Sequence, residues 1–168
     1  DRLRSRGLGD VYKRQMDAGV KEGSNDVQIL LVYDEQSGKL EDCLPSDLKS
    51  ELDGMAFKGP LGEFCFMAVS SEGFVSRGEL YLDLLHIVLN SAEVKKLIVV
   101  PFNEEYGEEV ENVLKESVVE SAGQKGNAKD IVFFRMEKPV TPVAYRWEIL
   151  GYPLMSALGI RSEDLQNN

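Results

Sequence analysis

The stretch that decides the fold class is SRGELYLDLLHIVLNSAEVKKLIVVPFNEEYGEEVENVL, residues 76–114. Residues 76–90 have apolar side chains at helical spacing and only a narrow polar stripe, which predicts a largely enclosed helix. The run KLIVVPF, residues 96–102, is short and continuously apolar, as in a buried strand. Asn103 before two glutamates predicts the cap of a second helix that ends near Gly123. Residue spacing predicts an apolar face on each helix. For the first helix this face consists of Leu80, Leu84, Ile87 and Val88, widened by Leu82, Leu85 and Leu89.

Three further apolar runs predict strands on either side of this stretch. VQILLVY at 27–33 is a near-continuous apolar run, typical of a strand buried on both faces, and EFCFMAV at 63–69 predicts a second buried strand. IVFFRM at 131–136 predicts a further strand. Leu44-Pro45-Ser46 is predicted to open a short helix that runs through about Asp53, with Ser46 as its cap and Gly54 at its end. Strands alternating with helices indicate a three-layer α/β domain with a mostly parallel sheet.

The run VAYRWEI, residues 143–149, alternates between apolar and polar side chains, which predicts a strand buried on one face. The proline-flanked segment before it is short, so we expect an antiparallel C-terminal edge strand beside strand 131–136. Pro153 is expected to open a final helix that Gly159 closes. Edge strands invite pairing, and large aromatic side chains are common in interfaces. Residues 143–158 are therefore a candidate surface for self-association or for binding a protein partner. The candidate interface residues are Tyr145, Trp147, Tyr152 and Met155. The alternative interpretation is that Trp147 is an ordinary core residue.

The first fifteen residues have no periodicity of a helix or strand and hold five of the nineteen basic residues. SRGLGDVYKRQ, residues 5–15, resembles the translation of a transposase mosaic-end adapter used in sequencing libraries. We therefore expect residues 1–15 to be a translated artefact outside the fold. Residues 16–168 are then expected to form a single α/β domain, in which Met16 is the start or upstream sequence has been lost.

Charge and composition narrow the classes of function. Without residues 1–15, which hold five basic and two acidic residues, the chain has 14 Lys and Arg against 27 Asp and Glu, a net charge of −13. Such a charge repels phosphate backbones and argues against nucleic-acid binding. No apolar run reaches the roughly 20 residues that span a bilayer, so a soluble protein is expected. Cys43 and Cys65 lack metal-binding or redox spacing, which fits a reducing cytoplasm.

Acidic residues follow three of the predicted strands. Asp34 and Glu35 follow the first, Glu72 the second and Glu104 the third. Parallel sheets bind ligands beyond the carboxyl ends of their strands, so these carboxylates are candidate ligands for Mg²⁺ or Mn²⁺ in phosphoryl transfer or hydrolysis. The alternative is that they are the solvated surface of an acidic chain. No glycine-rich phosphate loop is present, although a nucleotide held at a helix N-terminus stays possible.

His86 is the single histidine, and it shares the polar stripe of helix 76–90 with Asp83. This pair is a candidate for proton transfer or metal binding. The alternative is that both residues are simply the side chains that an apolar helix turns to water. Since any catalytic triad would need His86 itself, and no nucleophile elbow accompanies it, nucleophilic catalysis has no support in the sequence.

The order of DVQILLVYDEQSGKL, a short helix and FKGPLGEFCFMAV resembles the N-terminal, non-catalytic domain of cytosolic leucine aminopeptidases. The resemblance spans about 45 residues, and it assigns no functional residue to this chain. It implies a small α/β domain without the metal-binding catalytic half of that family.

These observations favour a soluble, acidic, non-enzymatic α/β domain that binds a partner or belongs to an assembly, with no cofactor. The first alternative is a small Mg²⁺- or Mn²⁺-dependent hydrolase or phosphotransferase that uses the strand-end carboxylates. A domain similar to the aminopeptidase N-terminal domain is the second alternative.

Overall fold

The computed structural model describes residues 25–40, 44–122 and 129–151. The chain divides into two compact units, Asp1–Arg77 with Gly151–Asn168, and Gly78–Leu150. In the described residues each unit holds one three-stranded sheet. The α/β class is confirmed, but the strands form two sheets where the sequence predicted one, and the three-layer arrangement stays a prediction.

The first unit contains strands β1 (Asn25–Tyr33), β2 (Ala56–Gly59) and β3 (Gly62–Ser70) in the order β1–β3–β2. β1 and β3 are parallel along their whole length, whereas β2 and β3 form an antiparallel hairpin. Gly62 lies where β3 meets the start of β1, with φ at +132°, and a Cβ atom there would lie 2.1 Å from the carbonyl oxygen of Asn25. Only glycine allows this close approach of two backbones.

A five-residue π-helical turn, Leu48–Leu52, covers one face of this sheet. Its cap is Asp47, whose side chain accepts a hydrogen bond from the amide of Ser50, so the predicted cap at Ser46 and the predicted longer helix are wrong. The core on this face joins the turn to β1 and β3; its buried members are Tyr33, Leu48 and Leu52, packed with Leu31, Leu40, Phe66 and Ala68.

The other face of the first sheet is only partly buried. Asp26 and Gln28 are exposed on β1, and Met67 is exposed on β3. The prediction that both strands are buried on both faces is therefore wrong for these positions. Apolar runs in β1 and β3 indicate high β-propensity as well as burial, so the run alone does not fix how much of each face is covered.

The second unit contains α1 (Arg77–Asn90), apart from its first residue, followed by β4 (Lys96–Val99), α2 (Asn103–Ser121), β5 (Asp130–Arg135) and β6 (Arg146–Ile149). The sheet order is β4–β5–β6 and all three strands are parallel. β5 is the central strand and matches the strand predicted at 131–136, and its four residues 131–134 are buried. The core joins one sheet face to both helices; its buried members are Leu85, Val99, Tyr106, Val110, Leu114, Ile131, Phe133 and Tyr145.

α1 contacts this core through the residues that were predicted to widen its apolar face, and not through Ile87. Leu85 is buried, with Tyr81, Leu82 and Leu89 packed beside it, whereas Ile87 is 65% exposed. In a helix that is apolar on most sides, spacing alone does not identify the buried face. Gly78 contributes to the choice, because a Cβ atom there would lie 3.1 Å from the ring of Tyr106.

α2 begins without the predicted side-chain cap. Phe102 is the cap residue, and the Asn103 side chain instead donates to the carbonyl oxygens of Pro101 and Phe134, at 3.2 and 3.3 Å. The predicted role of Asn103 as the cap is therefore wrong. Its amide ties the start of α2 to the end of β5, a tertiary partner that local capping rules do not consider.

β6 is parallel to β5, so the predicted antiparallel return is wrong. The segment 136–145 crosses from the end of β5 back to its beginning, where Arg146 pairs with Val132. This connection is shorter than the dozen or more residues usual for a parallel crossover, and it has no helix in the structure. Alternating side chains show that one face of a strand is buried, but they carry no information on its direction.

Candidate functional site

β6 is the last strand of its sheet in the described part of the chain. This agrees with the predicted edge position, although the strand begins at Arg146 and not at Val143. Trp147 is half-buried and packs against the core of the second unit, whereas Ile149 is 40% exposed. The edge therefore presents backbone and part of an apolar side chain together.

The direction of the backbone groups along β6 follows from one hydrogen bond. The amide of Leu150 donates to the carbonyl oxygen of Arg135 at 2.8 Å. In a parallel ladder alternate residues point to the same neighbour, so the N–H and C=O groups of Arg146 and Glu148 also face β5. Those of Trp147 and Ile149 face away from it, and no strand in the described ranges pairs with them.

Arg146 joins the start of β6 to the other two strands through Asp130. Its Nη1 atom lies 3.2 and 3.1 Å from the two carboxylate oxygens of Asp130, which also lies 3.0 Å from the Nζ atom of Lys96. Burial raises the pKa of Asp130, but the hydrogen bonds and charges of Lys96 and Arg146 outweigh it, so the net effect lowers this pKa. Arg146 is about half exposed, so its ion pair orients the side chain more than it stabilises the fold.

Tyr145 lies just before β6 and is 5% exposed, so it is part of the core and not of an exposed interface. Its ring meets Phe133 edge to face at 5.6 Å. Its hydroxyl accepts a hydrogen bond from Nη1 of Arg135 at 2.8 Å and donates one to Oε1 of Glu111 at 2.7 Å. Burial, followed by the hydrogen bond and charge of Glu111, raises the pKa of Tyr145 to about 12.

Glu111 is the centre of this polar network. Oε1 lies 2.8 Å from Nη1 of Arg135 and 3.2 Å from Nζ of Lys115. Burial raises the pKa of Glu111, but the hydrogen bonds from Tyr145, Arg135 and Lys115 lower it by more. Sequence reasoning missed the network because its members lie on α2, β5 and the segment before β6. The sequence holds two signals of this network. Glu111 lies at the edge of an apolar helix face, and Arg135 lies inside an apolar strand.

The segments that follow β1 and β3 leave the same edge of the first sheet, because the two strands are parallel. Tyr33 pairs with Ser70, and a Cβ atom at Gly73 would lie 3.7 Å from Oε1 of Glu35. Glu72 is exposed, with φ at +50°. The predicted ligands Asp34, Glu35 and Glu72 thus belong to one edge of the first sheet, whereas Glu104 lies in α2, in the second unit.

Asp34 already has several partners. Oδ1 accepts hydrogen bonds from the amides of Gln36 and Ser37 and from the Ser37 hydroxyl, at 2.7–3.0 Å. Oδ2 lies 3.8 Å from a guanidinium nitrogen of Arg77. The Ser37 hydroxyl is the largest influence and lowers the pKa of Asp34, with smaller contributions from the other partners against a cost of burial. This arrangement is that of a carboxylate that fixes a turn.

The remaining predicted site residues are Asp83, His86, Tyr152 and Met155. Asp83 and His86 are both exposed on α1. Within the described ranges, no three His, Cys, Asp or Glu side chains are grouped so that they could hold a metal ion. Tyr152 and Met155 lie outside the described residues.

The chain belongs to a family of unknown function, DUF6621, whose model matches residues 11–165. The match begins inside the stretch that resembles an adapter, and the boundary of the fold at residue 16 stays a prediction. No curated protein and no solved structure matches the chain. The similarity to the N-terminal domain of leucine aminopeptidases therefore also stays a prediction. Among the described helices none is long and apolar enough to cross a membrane.

Proposed function

We propose that this protein is a non-enzymatic binding domain that joins another polypeptide through the outer edge of β6. The observation that carries the proposal is the outward direction of the backbone groups of Trp147 and Ile149 on the last strand of a sheet. An extended segment can add to such an edge through main-chain hydrogen bonds.

Two features support this edge as a binding surface. The strand is held firmly from its inner side, because Tyr145 is fixed by Arg135 and Glu111, and Arg146 by Asp130. A rigid edge loses little conformational entropy when a second strand adds to it. The partly exposed apolar side chain of Ile149 at the same edge offers a side-chain contact beside the backbone.

The charge and thiol content support the class of partner and the compartment. A net charge of −10 disfavours nucleic acid, so the partner is a polypeptide. Cys65 is a free thiol inside β3, which supports a reducing compartment such as the cytoplasm.

The test measures hydrogen exchange at single amides in dilute protein. The amides of Trp147 and Ile149 are expected to exchange much faster than those of Arg146, Glu148 and Leu150, which face β5. Equal protection of both sets would mean that the edge is already occupied within the chain, and the proposal would fail. When a partner is supplied, protection should rise at Trp147 and Ile149 first.

A matched pair of variants separates backbone from side chain at this edge. Ile149→Pro removes an N–H group that faces away from β5, a position at which edge strands tolerate proline. Ile149→Ala keeps that N–H group and removes most of the side chain. If strand addition is the mode of binding, a purified partner should lose affinity with Ile149→Pro well beyond its loss with Ile149→Ala.

A second candidate function is a metal-dependent hydrolase or phosphotransferase, favoured by the position of Asp34 and Glu35 beside the turn that contains Glu72 and Gly73. The existing partners of Asp34 weigh against it, because a metal ion would have to displace them. A titration of the melting temperature with Mg²⁺ or Mn²⁺ tests this candidate.

A further inference from the structure

We propose that the strand that adds to β6 is β6 of a second copy of this chain, antiparallel to the first and related by a two-fold axis at Trp147. This inference rests on the proposed use of the β6 edge and names the partner. It follows from the order of charges and of outward backbone groups along four residues.

The backbone restricts the possible registers. In an antiparallel pair, opposite residues that exchange both hydrogen bonds must each direct N–H and C=O toward the other strand. On β6 only Trp147 and Ile149 do so. A two-fold pair therefore sets Trp147 opposite Trp147, Trp147 opposite Ile149, or Ile149 opposite Ile149.

The charges select one of these registers. Arg146 and Glu148 lie on the same face of β6, two residues apart. With Trp147 opposite Trp147, each Arg146 faces the Glu148 of the second copy, which gives two opposite-charge pairs across the contact. With Trp147 opposite Ile149, the two Glu148 side chains face each other and repel. With Ile149 opposite Ile149, Glu148 lies opposite Leu150, so this register sets no opposite charges against each other across the contact.

The same geometry gives a symmetric assembly. A two-fold contact uses one surface twice, the commonest arrangement among homo-oligomers. Within the described residues, the two three-stranded sheets would become one six-stranded sheet, and the outer edge of β6 would be paired. Because the contact is small and each chain has a net charge of −10, we expect a weak dimer, measured at roughly micromolar to millimolar chain concentration.

Charge reversal tests the register. Arg146→Glu sets two glutamates opposite each other on both sides of the axis, and Glu148→Arg sets two arginines there. Each variant alone should raise the dimer dissociation constant about tenfold or more, since attraction becomes repulsion at two pairs. An equimolar mixture of the two variants restores opposite charges at every pair, so it should associate about as strongly as the wild type.

Controls distinguish a loss of dimerisation from a loss of folding. Asp130→Asn removes the partner of Arg146 inside the monomer, and it should leave the dimer in place. Circular dichroism and thermal melting check that each variant folds. If Arg146→Glu does not fold, Arg146→Gln and Glu148→Gln replace the reversals, and each should weaken the dimer by a smaller factor.

Sedimentation velocity at constant ionic strength measures the dimer dissociation constant of each variant and of the mixture. A wild-type dimer that weakens in both reversal variants and returns in their mixture supports the proposal. A wild-type monomer up to millimolar concentration, a dimer indifferent to both reversals, or a mixture that does not associate would each overturn it. In those cases fast exchange at Trp147 and Ile149 would still support strand addition by a different polypeptide, whereas protection in the dilute monomer would end both proposals.

Discussion

The hydroxyl of Tyr145 donates a 2.7 Å hydrogen bond to Oε1 of Glu111, and this bond links the segment before β6 to α2. The same hydroxyl accepts from Arg135, so one side chain joins a helix, the central strand and the edge strand. The network holds Tyr145 immediately before Arg146, the first residue of β6.

Tyr145→Phe is expected to lower the free energy of unfolding by about 1–3 kcal/mol, because Glu111 and Arg135 each lose a partner in a partly buried site. Urea unfolding measures the change. A double-mutant cycle with Glu111→Ala, which removes the acceptor, should give a coupling energy of about 0.5 kcal/mol or more. Strict additivity of the two substitutions would contradict a functional hydrogen bond between them.

Stability is expected to fall in acid through the same carboxylate. The pKa of Glu111 is lowered in the folded protein, so its contribution is present above the pKa of the unfolded chain and is lost as pH falls through the lower folded value. Asp130, also lowered, adds to the loss in the same direction. Unfolding in urea between about pH 6 and pH 2 should show this decline, which spans the ordinary range of carboxyl pKa values.

Glu111→Gln provides the comparison, because glutamine cannot titrate. Its unfolding free energy should be lower than that of the wild type at neutral pH and should change less between about pH 5 and pH 3. Parallel pH curves for the two proteins would show that Glu111 does not carry the acid sensitivity.

Two glycines test the backbone geometry of the first unit. Gly62→Ala should destabilise the fold by about 3 kcal/mol or more, because its φ is unfavourable for alanine and the new Cβ would lie 2.1 Å from a carbonyl oxygen of β1. Gly54→Ala has a positive φ but nothing within 4 Å, so it should cost only about 1 kcal/mol. Thermal melting of the pair measures the difference, and equal losses would count against the close approach of β1 and β3.

Sequence patterns predicted the positions of strands and helices better than they predicted strand direction and tertiary contacts. The runs at 27–33 and 63–69 became β1 and β3 within two residues at each end, because their apolar character is local. β2 was missed because AFKG is short and takes its structure from the antiparallel ladder with β3. The direction of β6 and the partners of Glu111 depend on residues far along the chain, which no local period records.

The buried face of α1 illustrates the same limit and gives a direct test. Leu85→Ala should cost about 2–5 kcal/mol, because this side chain is buried in the core of the second unit. Ile87→Ala should cost less than about 1 kcal/mol, since most of that side chain is in water. Both lose methyl and methylene groups from the same helix, so helix propensity changes similarly. A larger loss for Ile87→Ala than for Leu85→Ala would contradict the burial of Leu85 in this core.

The metal-site alternative predicts that divalent ions raise the melting temperature, and the existing contacts of Asp34 weigh against this rise. Oδ1 of Asp34 accepts three hydrogen bonds, and Oδ2 lies near Arg77, so an added Mg²⁺ or Mn²⁺ would compete with partners already in place. We therefore expect either ion to shift the melting temperature no more than sodium chloride at matched ionic strength. Ligands that bind only the folded state raise the melting temperature in a saturable way. A saturable, ion-specific rise that Asp34→Asn abolishes, and that Glu104→Gln in the second unit leaves unchanged, would contradict this expectation and favour the metal-dependent enzyme.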